Sequence, residues 1–338
     1  MRKSVWCAAI LFGFFCLVSN AVISQDNIQG KWKAKNRDGK IHFQMRLIQK
    51  REFGDWQFSH KFQKSDFEGF EWGKMTSFRL VREAGTLVFD GELTEESGSG
   101  SFVFHPNSEF RGFLEGKGFG DVEEKDILML CLNNVTRKYI DDLFELGYSD
   151  ISFSKLISFV IHDVSIDFIK GIHALGYKDI TPSKLISFSI HDVTVDFVQE
   201  LNSLGYDDLD PSKLISFSIH DVTTEYVREL NSLGYKNIDP SSLISFRIHD
   251  VDPEFVRGLR KLGYADISSS KLISFSIHDV TVDFVKDVQS VGYSDISPSD
   301  LISFRIHDVD RKFIERMNEK WGKKLTPSKI ISLKIHEY

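Results

Sequence analysis

Apolar residues recur along this chain with two different periods, and the change falls near residue 105. Between residues 25 and 105 apolar and polar side chains alternate, as they do from Ile41 to Leu47, which is the period of a strand with one buried face. Farther along, apolar residues recur with the three- and four-residue spacing of a helix. One such stretch contains Phe197, Val198, Leu201 and Leu204. The two patterns predict an antiparallel β domain followed by a helical domain.

The helical part is a tandem array with a period of 29 residues. A segment of sequence Ser-Lys-Leu-Ile-Ser-Phe-Ser-Ile-His-Asp-Val-Thr occurs unchanged from Ser183, from Ser212 and from Ser270. The period predicts about eight repeats over residues 106–338, and the last one, which has Trp321-Gly322 where Gly-Tyr is expected, has the divergent sequence of a terminal cap. One histidine recurs at the same spacing without insertion, at His162, His191, His220, His249, His278, His307 and His336.

Each repeat contains the start and stop signals of two short helices. Thr194 is a suitable N-cap, and Gly205 supplies the left-handed residue that ends the first helix. A second N-cap signal, Asp210-Pro211, follows, and the second helix is predicted to end at Asp221. Because an isolated helix of about ten residues is marginal in water, neighbouring repeats must stabilise one another. The fold predicted for residues 106–338 is an α/α solenoid of two-helix repeats.

A leucine-rich-repeat-like β/α solenoid is the alternative, because its repeats have a similar length. The segment from Ile215 to His220 alternates as a strand does, and Arg247 and Arg305 suit an outward strand position better than an apolar helix face. Against this alternative, the proline that recurs at the start of the segment is typical of a helix N-terminus. The asparagine of a leucine-rich turn is also absent. The all-helical repeat is therefore favoured.

The N-terminal domain, residues 25–105, is predicted to be an antiparallel β-meander or a barrel-like domain of about six or seven strands. Asp38-Gly39 and Ala84-Gly85 have the sequence of hairpin turns. No linker rich in Pro or Gly separates this domain from the repeats, so we expect the sheet to dock on the first repeat. The whole chain is accordingly predicted to be an α+β protein of two domains.

Residues 1–24 are predicted to be a secretory signal peptide. Arg2 and Lys3 precede an uncharged, mostly apolar run from Val5 to Val18, and small residues precede a cleavage site after Ala21. The run is shorter than the roughly 20 residues that span a bilayer as a helix. We therefore expect an exported protein, periplasmic or extracellular, with no integral membrane segment.

Charge and candidate chemistry narrow the function classes. The chain carries 42 Lys and Arg against 49 Asp and Glu, a formal net charge of −7, which argues against nucleic acid and anionic lipid surfaces as partners. The recurrent His-Asp pairs contain metal-binding side chains, but equivalent residues on helices about 8–10 Å apart are too distant to share a zinc ion. The tyrosines of the Gly-Tyr pairs are expected to pack in the core, and Cys131 to be inert. No catalytic, cofactor-binding or metal-binding residue is predicted.

The clearest copy of the repeat is Leu-Ile-Ser-Phe-Arg-Ile-His-Asp-Val-Asp-Pro-Glu-Phe-Val, from Leu243 to Val256. It resembles tandem repeats of exported bacterial proteins and of the extracytoplasmic parts of membrane metallopeptidases of the BlaR1 type. Phe67-Glu-Gly-Phe70 and Arg82-Glu-Ala-Gly-Thr86 are similar to segments that precede those repeats. The resemblance covers nearly all of the chain after the signal and implies an exported repeat protein. It does not imply peptidase activity, because the chain has no His-Glu-x-x-His motif.

The function expected from the sequence is that of an exported, non-enzymatic repeat scaffold that binds a protein or peptide. Repeats stacked in one dimension present long surfaces, and the copies differ most on the exposed face predicted for the first helices. A basic cluster on that face would attract an acidic partner. The candidate partner-binding residues are Arg228, Arg257, Arg260, Lys261 and Lys286. The alternative is a small-ligand-binding or hydrolytic role of the N-terminal β domain.

Overall fold

All strands precede all α-helices in the structure, a computed structural model that describes residues 27–48 and 57–336. This order confirms the predicted α+β class, with a β domain followed by helical repeats. The predicted signal peptide, residues 1–24, lies outside the described residues. The chain divides into an N-terminal unit that ends at Asp141 and a C-terminal unit that begins at Asp142.

Seven strands of the described residues form one antiparallel sheet in the N-terminal unit. They are β1 Ile28–Arg37, β2 Lys40–Leu47, β3 Gln57–Phe62, β4 Phe67–Glu68, β5 Met75–Arg82, β6 Gly85–Leu93 and β7 Ser97–Pro106, with a short 3-10 helix at Lys64–Asp66. Their order across the sheet is β3-β2-β1-β7-β6-β5-β4. The predicted turn at Asp38 and Gly39 joins β1 to β2, with φ values of 52° and 71°. The first and last strands also pair with each other, which no local signal predicted.

Aromatic side chains fill the buried face of this sheet. Trp32 is 1 % exposed, and its indole N–H donates a hydrogen bond to the carbonyl of Ser101 (3.1 Å). The ring lies against Gly91 and Gly98, where an added Cβ would lie 2.7 and 3.1 Å from ring atoms, so a larger residue there would displace it. The buried phenylalanines of the sheet are Phe43, Phe62, Phe67, Phe78, Phe89, Phe102 and Phe104, and Phe70 in the loop after β4 is buried with them.

Sixteen α-helices of nearly equal length follow within the described residues. They form eight pairs, which matches the predicted number of two-helix repeats. The helices are α1 Ser108–Gly116, α2 Glu124–Leu132, α3 Arg137–Glu145, α4 Phe153–Ile161, α5 Ile166–Ala174, α6 Pro182–Ile190, α7 Val195–Ser203, α8 Pro211–Ile219, α9 Thr224–Ser232, α10 Pro240–Ile248, α11 Pro253–Lys261, α12 Ser269–Ile277, α13 Val282–Ser290, α14 Pro298–Ile306, α15 Arg311–Lys320 and α16 Pro327–Ile335.

The helices begin and end at the predicted signals. Before α7, the hydroxyl of Thr194 accepts a hydrogen bond from the backbone N–H of Phe197 (3.1 Å), as expected of an N-cap. After α8, Asp221 has a φ of 52°, and the N–H of Val222 donates to the carbonyl of Phe217 (2.8 Å). These are features of a Schellman motif. The first helices of the C-terminal unit end in the same way, with glycine at the left-handed position.

The leucine-rich alternative is wrong, because residues 107–336 contain no strand. The position of Arg247, which suggested it, lies on a helix and faces the neighbouring repeat. The Nε of Arg247 donates a hydrogen bond to the carbonyl of His220 (3.3 Å), and its guanidinium lies 5.0 Å from the centre of the Tyr226 ring. A helix accommodates arginine here because the side chain bridges two repeats.

The tyrosine of each Gly-Tyr pair in the C-terminal unit connects its repeat to the next one. Tyr206 is 6 % exposed, and its hydroxyl donates a hydrogen bond to the carbonyl of Ile238 (2.9 Å). The same bond recurs, at 2.7–3.0 Å, from Tyr148, Tyr177, Tyr235, Tyr264 and Tyr293 to the carbonyls of Ile180, Leu209, Ile267, Ile296 and Leu325. The tyrosines therefore pack between repeats, as expected. We call this set the tyrosine ladder.

The first repeat packs on the sheet within the N-terminal unit. α2 contacts β6 and β7, and the thiol of Cys131, on α2, donates a hydrogen bond to the carbonyl of Gly85 (3.4 Å). Burial raises the pKa of Cys131 to about 12. The thiol therefore stays protonated near neutral pH, where a thiolate would be needed for nucleophilic chemistry.

Candidate binding surface

The second helix of every repeat in the C-terminal unit ends in an isoleucine whose side chain is about half exposed. On a helix with 3.6 residues per turn, Ile219 lies about 140° from Leu214 and about 200° from Phe217. These two residues are fully buried, so Ile219 points away from the core that they form. The exposed fraction is 47–54 % for the whole set, which we call the isoleucine row: Ile161, Ile190, Ile219, Ile248, Ile277, Ile306 and Ile335.

The helix ends that carry the isoleucine row are bonded to one another from repeat to repeat. The residue before the isoleucine donates a hydrogen bond to the carbonyl of the C-cap histidine in the preceding repeat. The donors are Ser189, Ser218, Arg247, Ser276 and Arg305, and the acceptors are His162, His191, His220, His249 and His278. Adjacent second helices also contact each other. The row is therefore a regular series of apolar sites, spaced by one helix packing distance of about 8–10 Å.

An exposed aspartate lies two residues after the isoleucine in six repeats. Asp221 and Asp279 face Arg247 (4.0 Å) and Arg305 of the next repeat, whereas the other four form no salt bridge with described residues. The carboxyl end of a helix carries a partial negative charge, so the edge of the isoleucine row is electronegative. We call this set the acidic row: Asp163, Asp192, Asp221, Asp250, Asp279 and Asp308.

The recurrent histidines lie between these two rows. Each is the C-cap residue of its helix, and all but His336 are half-buried. Across residues 27–48 and 57–336, no group of three or more His, Cys, Asp or Glu side chains comes together in a way that could hold a metal ion. Five of these histidines accept a hydrogen bond from the next repeat at the backbone carbonyl.

Two of the predicted partner-binding residues form ion pairs between first helices. Arg228 on α9 lies 2.6 Å from the carboxylate of Glu200 on α7, and Arg257 on α11 lies 3.0 Å from that of Glu229 on α9. Glu200 also accepts a hydrogen bond from the hydroxyl of Thr224 (2.6 Å). The bonds from Thr224 and Arg228 hold the pKa of Glu200 below its usual value. Both arginines are therefore partly neutralised by the preceding repeat.

Arg260 binds backbone carbonyls within the array. Its Nη1 donates hydrogen bonds to the carbonyls of Leu233 (2.7 Å), the C-cap residue of α9, and of Ala265 (2.9 Å). The side chain is half-buried. In the next repeat Gln289 makes the equivalent pair of bonds. Arg260 therefore donates hydrogen bonds to a backbone carbonyl at the end of a neighbouring helix, which is a structural role for its side chain.

The remaining two predicted residues are exposed lysines. Lys261 ends α11, and Lys286 pairs with Asp283 on its own helix (2.9 Å). Lys286 occupies the position that corresponds to Arg228 and Arg257 in the earlier repeats. The structure thus places the five residues on three successive first helices and gives four of them partners within the chain.

None of the described helices combines the length and the apolar character needed to cross a membrane.

The C-terminal unit presents two distinct surfaces: a charged face on the first helices and an apolar row with an acidic edge on the second helices. No protein-family model matches the chain, and no curated protein matches it either.

Proposed function

We propose that the repeats are a non-enzymatic scaffold that binds an extended, basic segment of a protein partner along the isoleucine row. The supporting observation is that seven equivalent isoleucines are half exposed. The identity of this residue is constant in these seven repeats, although the residue before it varies among Val, Ser, Arg and Lys. Apolar side chains that are exposed in a contiguous set are typical of an interaction site.

Apolar burial would supply most of the affinity. Full burial of an isoleucine side chain contributes about 1.5–3 kcal/mol, so covering the exposed half contributes about 1 kcal/mol. A segment that covers six isoleucines gains about 6 kcal/mol in this way, part of which is offset by ordering the peptide. With added ion pairs, a dissociation constant on the order of 0.1 mM is expected.

The acidic row determines the charge of the partner. Four of its carboxylates have no counter-charge among the described residues, and the adjacent helix ends add partial negative charge. An acidic segment on the isoleucine row would be repelled by these charges, and a neutral one would gain no ion pair. Lysine or arginine side chains would form ion pairs along the edge. The partner segment is therefore basic.

The spacing of the isoleucine row selects an extended conformation. Neighbouring isoleucines belong to adjacent helices of the array, about 8–10 Å apart. A polyproline II chain advances about 3.1 Å per residue, so every third side chain recurs after about 9 Å. A segment with an apolar residue at every third position and basic residues between them matches both the isoleucine row and the acidic row.

A synthetic peptide tests this proposal directly. The probe is a fluorescein-labelled peptide of six Leu-Pro-Lys triplets, and its control is a scrambled peptide of the same composition. By fluorescence anisotropy, we expect the periodic peptide to bind about tenfold more tightly than the scrambled one, because about 1.4 kcal/mol of apolar contact is lost out of register. Ile219→Gln combined with Ile248→Gln should weaken binding, and Arg228→Gln combined with Arg257→Gln, on the first helices, should not.

Thermal melts must accompany the binding data, since each isoleucine is also half packed. Ile219→Gln combined with Ile248→Gln can lower the melting temperature. In that case Ile219→Val combined with Ile248→Val keeps the packing and should still weaken binding by a small factor. Equal binding of the two peptides, or undiminished binding by a folded isoleucine variant, would refute binding along this row. Loss of binding only in the arginine pair would assign the site to the first-helix face instead.

A further inference from the structure

The last described repeat has the opposite charge from the rest of the chain. Residues 310–338 contain eight Lys and Arg but four Asp and Glu, whereas the other residues contain 34 and 45. The net charge of −7 thus averages a basic end with an acidic remainder. The argument against anionic partners that rests on the whole-chain charge does not apply to this repeat, because electrostatic attraction acts over about one Debye length of roughly 10 Å.

The turn after α15 also departs from the pattern of the other repeats. α15 is one residue longer, so Trp321 is its C-cap residue. The N–H of Lys323 donates to the carbonyl of Asn318 (3.2 Å), which is the backbone bond that the ladder tyrosines make in the other repeats. In preceding repeats of the C-terminal unit the C-cap residue is a half-buried leucine or valine. The position of Lys323 belongs there to the ladder tyrosine. Here Trp321 is 47 % exposed, and an exposed lysine, Lys323, replaces the tyrosine.

Four lysines lie within eight residues of the exposed tryptophan in the sequence, and one of them contacts its ring. Lys329 holds its ammonium group 5.3 Å from the centre of the Trp321 ring, and Lys320 and Lys323 are exposed and form no salt bridge with described residues. In the preceding repeats the turn after the tyrosine carries aspartate or asparagine. We call this cluster the basic tip: Lys320, Trp321, Lys323, Lys324 and Lys329.

We propose that the basic tip docks on an anionic lipid surface, with Trp321 in the headgroup region. Tryptophan and lysine are enriched where proteins meet the membrane interface, and anionic headgroups attract clustered lysines. Lys329 occupies one face of the indole ring, which hinders the base stacking typical of single-stranded nucleic acid sites. The preceding repeats, residues 106–309, contain 19 Lys and Arg against 33 Asp and Glu and are repelled by the same surface. This site shares no residue with the proposed peptide surface.

Vesicle co-sedimentation of the full chain tests the proposal. The probes are vesicles of phosphatidylcholine alone and vesicles of phosphatidylcholine and phosphatidylglycerol at a ratio of 3:1, in 0.1 M NaCl. We expect binding only to the anionic vesicles. Lys320→Gln combined with Lys323→Gln should lower the partition coefficient about 25-fold, since each lysine near the surface contributes about fivefold.

A matched control removes two charges elsewhere. Lys178→Gln combined with Lys236→Gln changes exposed lysines in the equivalent turns of earlier repeats and should leave vesicle binding unchanged. The emission of Trp321, taken as wild type minus Trp321→Phe, should shift to shorter wavelength with anionic vesicles alone. Equal loss in the control pair, equal binding to neutral vesicles, or tighter binding to a single-stranded oligonucleotide than to anionic vesicles would overturn the assignment.

Discussion

The tyrosine ladder makes the C-terminal unit sensitive to alkaline pH. Burial raises the pKa of all six tyrosines above the ordinary value of 10.0, and that of Tyr148 to about 12. On unfolding, each pKa returns to its ordinary value, so above pH 10 the unfolded chain binds fewer protons than the folded one. A group of this kind contributes its full stability below the unfolded pKa and loses it as the pH rises towards the folded pKa.

The expected slope is steep. Each tyrosine that releases a proton on unfolding lowers the unfolding free energy by about 1.4 kcal/mol per pH unit. Six such groups give a slope that approaches about 8 kcal/mol per pH unit between the unfolded and folded pKa values. Because domains are stable by only about 5–15 kcal/mol, the C-terminal unit should lose a measurable part of its stability as the pH rises above 10.

Urea denaturation followed by circular dichroism between pH 8 and pH 12 measures this slope. Tyr206→Phe combined with Tyr235→Phe should lose about 1–1.5 kcal/mol per site at pH 8, because two buried carbonyls lose their donors, while the alkaline slope becomes about one third shallower. Val198→Ala, a control at a fully buried position, should lower the stability without changing the slope. An unchanged slope in the tyrosine pair would refute the ladder as the source of the alkaline sensitivity.

Two further predictions concern the repeat period and the N-terminus. Deleting residues 193–221 should leave a cooperatively folded protein that is less stable by about 1.5–4 kcal/mol, because Tyr177 then meets the carbonyl of Ile238 in place of that of Leu209. Deleting 14 residues breaks the alternation of first and second helices and should unfold the array, so equal thermal melts of the two deletions would contradict the solenoid. Mass spectrometry of the natural protein should find a first residue near Val22 or Gln25, whereas an intact Met1 would exclude the signal peptide.

The helix boundaries were predictable because their signals are local. The hydroxyl of Thr194 and the amide of Phe197 that it caps are three residues apart, and the left-handed residue at Gly205 follows from its lack of a Cβ. Such contacts depend on the sequence of one helix end, not on its neighbours. Because the repeats share these signals, an inference made for one repeat applied to the others.

The contacts between repeats were not predictable in the same way. Arg257 meets Glu229 across 28 residues, and Arg260 reaches the carbonyl of Leu233 across 27, which depends on the register of adjacent helices. The exposure of the isoleucine row follows from helical geometry. It was harder to infer because apolar and polar residues alternate from Ile215 to His220, which is also the pattern of a strand. Pairing of β1 with β7 joins distant strands and has no local signal either.

Both helices of a repeat are followed by a residue in the left-handed conformation, but the type of residue differs between them. First helices of the C-terminal unit end on glycine, and six of its second helices end on an aspartate of the acidic row, with φ between 51° and 56°. A left-handed backbone crowds the Cβ of aspartate, at a cost of about 1 kcal/mol relative to glycine. Glycine at these six positions should therefore raise the melting temperature while it removes six negative charges. The aspartate that ends a second helix thus affects both the melting temperature and the surface charge. An array stabilised by glycine at these positions would attract cations less than the natural one.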